Sequence, residues 1–214
     1  MSNRTDEEQI ALIRDWWRAN GRSVIAGIVI AVVAVIGWQQ WNAYQERTAE
    51  SASGYYMAFL DALRDEAPEA DLVEQGERII SDYGRTPYAA LTALWLAQHH
   101  VERDELDAAA DRLRWVVGQA RSEAFVAPAR LRLAQVLAAR EQYDEALGLL
   151  EQAPAGFESR YRELAGDIQA ERGSAEAAAA AYRQALEAPS LDPQRRGLIE
   201  LKLSDLGVDL ESLS

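Results

Sequence analysis

The sequence feature that most limits how this chain can fold is a stretch without charge. No Asp, Glu, Lys or Arg occurs between Arg22 and Glu46, although charged residues make up 27% of the chain. Tryptophans, which prefer the headgroup region of a bilayer, lie on both sides of this stretch's apolar centre: Trp16, Trp17, Trp38 and Trp41. A helix from Gly21 to Trp41 would rise about 30 Å, the thickness of the hydrocarbon layer. The stretch therefore predicts a transmembrane helix, which we assign to residues 23–44.

The apolar stretch has three possible interpretations: a retained anchor, a cleaved signal peptide or a buried core helix. A signal peptide has a short basic leader and a small-residue cleavage site after the apolar run. Here the leader contains four acidic residues, and the run ends in the sequence Trp38-Gln39-Gln40-Trp41, a poor cleavage site. These features favour the retained anchor, and the other two interpretations stay open as alternatives.

The orientation of this anchor follows from the basic residues near its ends. Arg14, Arg18 and Arg22 precede it, whereas only Arg47 follows closely. Cytoplasmic flanks carry the excess of Lys and Arg. We therefore expect a single-pass protein with a cytoplasmic N-terminus and an exported domain of residues 45–214, which in a bacterium lies in the periplasm.

The leader, residues 1–22, has helical periodicity of its own. Ile10, Ile13 and Trp17 share one helix face, and Asn20-Gly21 resembles a break. This pattern is typical of a short amphipathic helix lying on the cytoplasmic leaflet. The alternative is that the leader simply extends the anchor helix.

Small residues recur on one face of the anchor. Gly27, Ala31 and Ala34 have the spacing that lets another membrane helix approach closely. We predict a helix-packing face there, although Gly and Ala are also common in membrane helices that have no such role.

Beyond the anchor, three segments superimpose as helix pairs. In each, a small residue on the first helix is followed twelve residues later by an alanine on the second: Ala97/Ala109, Ala134/Ala146 and Gly166/Ala178. The spacing of these copies, 37 and then 32 residues, resembles that of the tetratricopeptide repeat. Gly173 occupies the turn of the third copy, where the first two have Asp104 and Glu141.

Atypical helices should flank these pairs, because a solenoid must cover its terminal apolar faces. We expect residues 45–66 to continue the anchor helix, residues 71–83 to form a second helix, and residues 193–206 to cap the array. The predicted fold class is all-α: a single N-terminal transmembrane helix followed by a tetratricopeptide-like helical-repeat solenoid.

The sequence contains no pattern typical of catalysis, metal binding or a cofactor site. The chain has no cysteine, and its two histidines, His99 and His100, are adjacent and so point in different directions on a helix. With 35 acidic against 22 basic residues the net charge is −13, which disfavours nucleic acid as a partner. We therefore expect neither an enzyme nor a cofactor-dependent protein.

A helical solenoid offers a concave groove lined by the first helix of each pair. The repeat register places candidate groove residues at Leu94, Gln98, Leu131, Gln135, Arg160, Glu163 and Asp167. Such a groove suits an extended peptide or a partner helix. The alternative is that the protein's own N-terminal helix pair covers it.

The full arrangement resembles the YfgM family, the ancillary subunit of the SecYEG translocon. The resemblance is carried by Trp16-Trp17 before Asn20-Gly21, by the anchor end IGWQQWNAYQ, and by TPYAALTALWLAQHHVERDELDAAADRL. It implies association with SecYEG and with PpiD, a membrane-anchored periplasmic chaperone of prolyl-isomerase type, and transfer of nascent secreted polypeptides to periplasmic chaperones. Two alternatives remain: another envelope-assembly scaffold, and a regulator acting through the cytoplasmic leader.

Overall fold

The computed structural model describes residues 3–208, and within them the chain forms nine α-helices and no β-strand. The predicted all-α class is therefore confirmed. The chain divides into two compact units, with the boundary between Ser51 and Ala52, so that the first helix contributes to both. The helices are α1 (Asn3–Arg64), α2 (Glu69–Tyr83), α3 (Pro87–Glu102), α4 (Leu106–Gln119), α5 (Glu123–Ala139), α6 (Tyr143–Gly148), α7 (Glu158–Glu171), α8 (Ala175–Glu187) and α9 (Pro193–Asp205).

In the first unit, α1 continues through the expected break at Asn20-Gly21, so that prediction is wrong. Within this continuous helix, the side-chain Nδ2 of Asn20 donates to the Trp16 carbonyl oxygen at 3.1 Å. The indole of Trp17 lies over Gly21, where an added Cβ would come within 3.3 Å of the ring. The glycine therefore accommodates the tryptophan inside a regular helix, and the leader extends the anchor helix.

The apolar part of α1 is the one stretch among residues 3–208 that is long and apolar enough to cross a membrane. Its large apolar side chains are exposed, from Ile25 at 54% to Trp41 at 51%. Gly27, Ala31 and Ala34 are exposed as well, and an added Cβ on Gly27 would meet no atom within 4 Å. The predicted helix-packing face is thus open for a partner, and its use stays a prediction.

The second unit consists of antiparallel helix pairs, as the sequence repeats predicted. The pairs are α3–α4, α5–α6 and α7–α8, preceded by the end of α1 with α2 and followed by α9. The small residues at the predicted crossing points are buried: Ala97, Ala109, Ala134, Ala146, Gly166 and Ala178. Gly166 shows why a small residue is needed, because a Cβ there would overlap the ring of Tyr182.

A residue with left-handed backbone conformation follows the first helix of each pair. These residues are Glu66 (φ 53°), Asp104 (φ 60°), Glu141 (φ 58°), Gly173 (φ 86°) and Gly207 (φ 77°). Their successive spacings of 38, 37, 32 and 34 residues define the register of the array. By this register, α9 is the first helix of a further repeat, and it packs on α8 as the expected cap.

Two local features of the helix pairs depart from the regular pattern. Pro128 lies inside α5, although proline usually ends a helix. A proline in a helix removes one backbone hydrogen bond, and this cost is accepted here within a helix whose neighbours Ala127 and Ala129 are fully buried. The second helix of the middle pair, α6, is short and ends at Gly148, although the next apolar repeat position, Leu150, is still buried.

The buried side chains of the second unit form three clusters. The largest extends from Ile80 in α2 to Ile168 in α7 and includes Leu96, Leu113 and Leu133. A second cluster belongs to α8 and α9, with Tyr182, Ile199 and Leu203 among its members. The third joins α1, α2 and α3 around Phe59, Leu72, Ile79 and Ala89. The array therefore has a central core and a separate cluster at each end.

Candidate functional site

The left-handed residues align the first helices of successive pairs and so show where the candidate groove residues lie. Gln98, Gln135 and Asp167 lie six residues before Asp104, Glu141 and Gly173, respectively. They occupy equivalent positions on α3, α5 and α7. Two adjoining pockets open along these three helices, and Arg132 and Gln135 line both of them.

The first pocket lies between α3 and α5 and has a volume of about 300 Å³. Its polar lining consists of Gln98, Arg132 and Gln135. Its apolar lining consists of Ala97, Val101, Leu106, Leu113, Val136 and Ala139. Such a pocket can take an apolar side chain, with amide and guanidinium groups beside it for polar contacts.

The second pocket lies between α5 and α7, has a volume of about 310 Å³, and is largely polar. Leu131, Arg132 and Gln135 contribute from α5, and Arg160, Glu163 and Asp167 from α7. Arg195 reaches it from α9. The lining thus changes from apolar in the first pocket to charged in the second.

The acidic residues of the charged pocket are bound by basic residues of α9. Lys202 Nζ donates to Glu163 Oε1 at 2.8 Å and to Asp167 Oδ1 at 2.7 Å. Arg195 Nη1 donates to Glu163 Oε2. Glu163 is only 4% exposed, and these two basic groups compensate its buried carboxylate. Glu163 and Asp167 therefore hold the capping helix rather than presenting free carboxylates to a ligand.

Tyr182 completes this network from α8. Its hydroxyl donates to Asp167 Oδ1 at 2.7 Å, and its ring lies 5.7 Å from Lys202 Nζ. Burial and the bond to Asp167 raise the pKa of Tyr182. Burial alone would lower the pKa of Lys202, but its hydrogen bonds to Asp167 and Glu163 outweigh burial and raise it. Both groups therefore stay protonated at neutral pH.

The structure brings six of the seven predicted groove residues to the two pockets: Gln98, Leu131, Gln135, Arg160, Glu163 and Asp167. Leu94 instead packs against the central core. The sequence interpretation missed Arg132, Arg195 and Lys202. The sequence could have indicated the last two, because Arg195 and Lys202 lie seven residues apart and therefore on one face of the predicted capping helix.

The two histidines belong to a charged cluster at the turn between α3 and α4. His99 stacks on Trp95 with ring centroids 5.2 Å apart, and its Nε2 lies 3.2 Å from Glu69 Oε1. His100 Nδ1 lies 2.7 Å from Glu105 Oε2. Within residues 3–208, no group of three or more potential ligand side chains has a geometry suited to a metal ion.

Comparison with known proteins agrees with the observed architecture. The sequence profile of the tetratricopeptide repeat-like domain family matches residues 14–208. A relative from Haemophilus influenzae is 28% identical over 94% of this chain and 97% of its own length. One from Escherichia coli is 28% identical over 95% and 97%, and one from Aggregatibacter actinomycetemcomitans is 32% identical over 94% and 97%.

Each of these relatives is named as an ancillary SecYEG translocon subunit, which is not the name of an enzyme. The matches include both the apolar helix and the helix pairs, since the family profile begins before the anchor and ends after α9. Because both the family profile and these relatives match nearly the whole chain, this protein belongs to the tetratricopeptide repeat-like family of ancillary SecYEG translocon subunits.

Proposed function

We propose that this protein is a single-pass adaptor of the bacterial inner membrane that associates with the SecYEG translocon. In this role its periplasmic helical array receives emerging secreted polypeptides and passes them to periplasmic chaperones, with a PpiD-type chaperone as a partner. The observation that carries the proposal is the match of nearly the whole chain, anchor included, to relatives named as translocon subunits.

The membrane part of the proposal rests on α1. Its uncharged stretch, residues 23–45, is long enough for a bilayer and leaves its large apolar side chains exposed in the folded chain. Arg14, Arg18 and Arg22 precede this stretch, and such an excess of basic residues favours a cytoplasmic N-terminus. The domain division proposed is a cytoplasmic leader of residues 1–22, a membrane helix of residues 23–44 and a periplasmic domain of residues 45–214.

The adaptor part of the proposal rests on the groove. Two pockets of about 300 and 310 Å³ adjoin along α3, α5 and α7, which is the arrangement that an extended or helical segment of another protein requires. Glu163 and Asp167 are bonded to α9, and this arrangement holds the groove wall in place without a ligand. A groove that changes from apolar to polar suits transient recognition of chain segments.

Site-specific photocrosslinking in native membranes tests both parts. A photoreactive residue at Ala31 should capture translocon subunits, and one at Gln135 should capture a nascent chain or a periplasmic chaperone. Both positions are exposed, so that the substitution leaves the fold intact. Matched control positions are Val29 on the opposite face of α1 and Ala180 on the exposed face of α8.

The outcomes separate the proposal from its competitors. Capture at Ala31 and Gln135 that exceeds capture at Val29 and Ala180 supports the adaptor role and the assigned faces. If another envelope complex is captured and no translocon subunit, an envelope-assembly scaffold replaces the proposal. If deletion of residues 1–20 abolishes function while both crosslinks persist, a regulator acting through the leader replaces it.

A further inference from the structure

The groove differs in charge from the rest of the protein. The chain as a whole carries a net charge of −13. The charged pocket is lined by three arginines, Arg132, Arg160 and Arg195, against two acids, Glu163 and Asp167. Lys202 adds a further positive charge, because its Nζ lies within 2.9 Å of oxygen atoms of both acids. The middle of the groove is therefore locally cationic on an acidic protein.

Two of these cations are not neutralised by the groove's own acids. Glu163 and Asp167 are bonded to Arg195, Lys202 and Tyr182. In contrast, Arg132 and Arg160 lie more than 4 Å from every carboxylate oxygen in the described part of the chain. Both are exposed, and Arg132 Nη1 makes one long contact of 3.5 Å with the Pro128 carbonyl oxygen. Their guanidinium groups are therefore available to a ligand.

The free cations lie directly beside the apolar pocket. Arg132 lines both pockets, so a ligand that contacts its guanidinium group has the apolar walls of the α3/α5 pocket within reach. Three acids adjoin that pocket's lining in sequence, and each contacts another side chain: Glu102 accepts a hydrogen bond from Gln98 at 2.9 Å, Glu105 contacts Arg103, and Asp107 contacts Arg140. The groove thus offers an apolar subsite followed by a cationic one.

We propose that this groove selects segments of partner proteins in which an acidic side chain accompanies an apolar one. The apolar side chain enters the α3/α5 pocket, and the carboxylate binds Arg132 and Arg160 through charge-assisted hydrogen bonds. This inference deepens the adaptor function proposed above and rests on it, because it specifies which segments the groove accepts. Basic segments are rejected, since they would place a cation against two unpaired arginines.

Binding of designed peptides to the full-length protein in detergent tests the selection. Three fluorescent peptides of about twelve residues, a length suited to an extended groove ligand, share the same leucines and differ only in carrying Glu, Gln or Lys between them. Their ends are acetylated and amidated, so that terminal charges do not contribute. By anisotropy, the Glu peptide should bind about tenfold more tightly than the Gln peptide, and the Lys peptide more weakly than both.

Variants identify the residues responsible. Arg132→Gln combined with Arg160→Gln should remove the preference for the Glu peptide while leaving binding of the Gln peptide within about twofold. The matched control, Arg121→Gln with Arg183→Gln, removes two exposed arginines that line neither groove pocket, and it should keep the preference. Arg160→Glu should shift the preference towards the Lys peptide. Helical circular dichroism confirms that each variant is folded.

Each outcome bears on a distinct claim. If all three peptides bind with equal affinity and compete with one another for the same site, the selection by charge is overturned, but the groove remains a peptide-binding site. Loss of the preference in the Arg121/Arg183 control as well means that overall charge is responsible and overturns the assignment to Arg132 and Arg160. If none of the three peptides binds and photocrosslinking at Gln135 also captures nothing, the adaptor function itself fails.

Discussion

Arg172 binds Asp144 across neighbouring helix pairs, with 2.7 Å between Nη1 and Oδ1. Arg172 directly precedes the left-handed Gly173, and Asp144 follows the left-handed Glu141 by three residues. Two further ion pairs occupy the same positions relative to the left-handed residues. The equivalent pairs are Asp107–Arg140 and Glu69–Arg103, the latter at 2.9 Å. In these three pairs, an acidic residue at the start of the second helix therefore contacts the arginine at the next first-helix turn.

Removing one of these pairs should cost little stability. Asp144 and Arg172 are 88% and 43% exposed at their side chains, and exposed pairs contribute about 0.2–1 kcal/mol. A double-mutant cycle with Asp144→Ala and Arg172→Ala in urea should give a coupling free energy in this range, decreasing with added salt. A coupling above about 2 kcal/mol would show that the pairs act as a cooperative network.

Stability should fall at alkaline pH because of the α9 network. The folded-state pKa values of Lys202 and Tyr182 are both raised. Their stabilisation is fully present below the unfolded pKa values, about 10.4 for Lys and 10 for Tyr. It is lost as pH rises through the folded values, because the unfolded chain then releases protons first. Urea unfolding between about pH 8 and 11 measures this decline. Tyr182→Phe should make it shallower, whereas an unchanged slope would exclude Tyr182 as a contributor.

Gly166→Ala should destabilise the third pair. Its Cβ would overlap the ring of Tyr182, which is only 3% exposed and cannot move freely. Overpacking of this kind costs about 1–3 kcal/mol. The matched control is Gly197→Ala in α9, where a Cβ meets nothing within 4 Å and where alanine should stabilise the helix by up to about 1 kcal/mol. If thermal unfolding shows the same change for both variants, the close approach at Gly166 is not limiting.

At two equivalent left-handed turns, we expect substitutions to change the free energy of unfolding in opposite directions. Glu141 has φ 58°, a conformation that costs a residue with a Cβ about 1–2 kcal/mol. Glu141→Gly removes this conformational cost, but glycine also has more conformational freedom in the unfolded chain, which opposes folding. The net increase in the free energy of unfolding should therefore be at most about 1 kcal/mol. Gly173→Ala at the equivalent turn should destabilise by about 1 kcal/mol. Denaturant midpoints that move in the same direction for both variants would contradict the shared register.

The proposed orientation can be tested with single cysteines, because the natural chain has none. Ala11→Cys lies before the apolar stretch and Ala177→Cys in the helical array, and both positions are exposed. In intact spheroplasts a membrane-impermeant maleimide should label residue 177 immediately and residue 11 only after lysis. The reverse pattern would invert the orientation inferred from the flanking arginines.

The helix pairs were predictable because their signals are local or nearly so. The small residues Ala97 and Ala109 are twelve positions apart, and the repeat places similar pairs further along the chain. The bonds of Lys202 to Glu163 and Asp167 join residues 39 and 35 positions apart, and their formation depends on how α9 packs against the array. No local pattern specifies that packing, so the sequence placed Glu163 and Asp167 in the groove without identifying their partners.

Local sequence rules failed where tertiary or side-chain contacts outweigh them. Asn20-Gly21 is typical of a break, yet the helix continues, and the ring of Trp17 covers Gly21 within it. Pro128 is typical of a helix boundary, yet α5 continues because the residues around it are buried in the central core. Both cases show propensity yielding to contacts that depend on the helix already being formed.

The separate apolar cluster of α8 and α9 has a consequence for dynamics. Because Ile199 and Leu203 do not belong to the central core, α9 can open in a sub-global step while the pairs before it stay folded. Opening would withdraw Arg195 and Lys202 and leave Glu163 and Asp167 uncompensated, so the local charge of the groove would change towards negative. If an acidic segment binds the groove as proposed, amide exchange in α9 and retention of the segment are thermodynamically linked: the bound segment would protect α9, and fraying of α9 would release the segment.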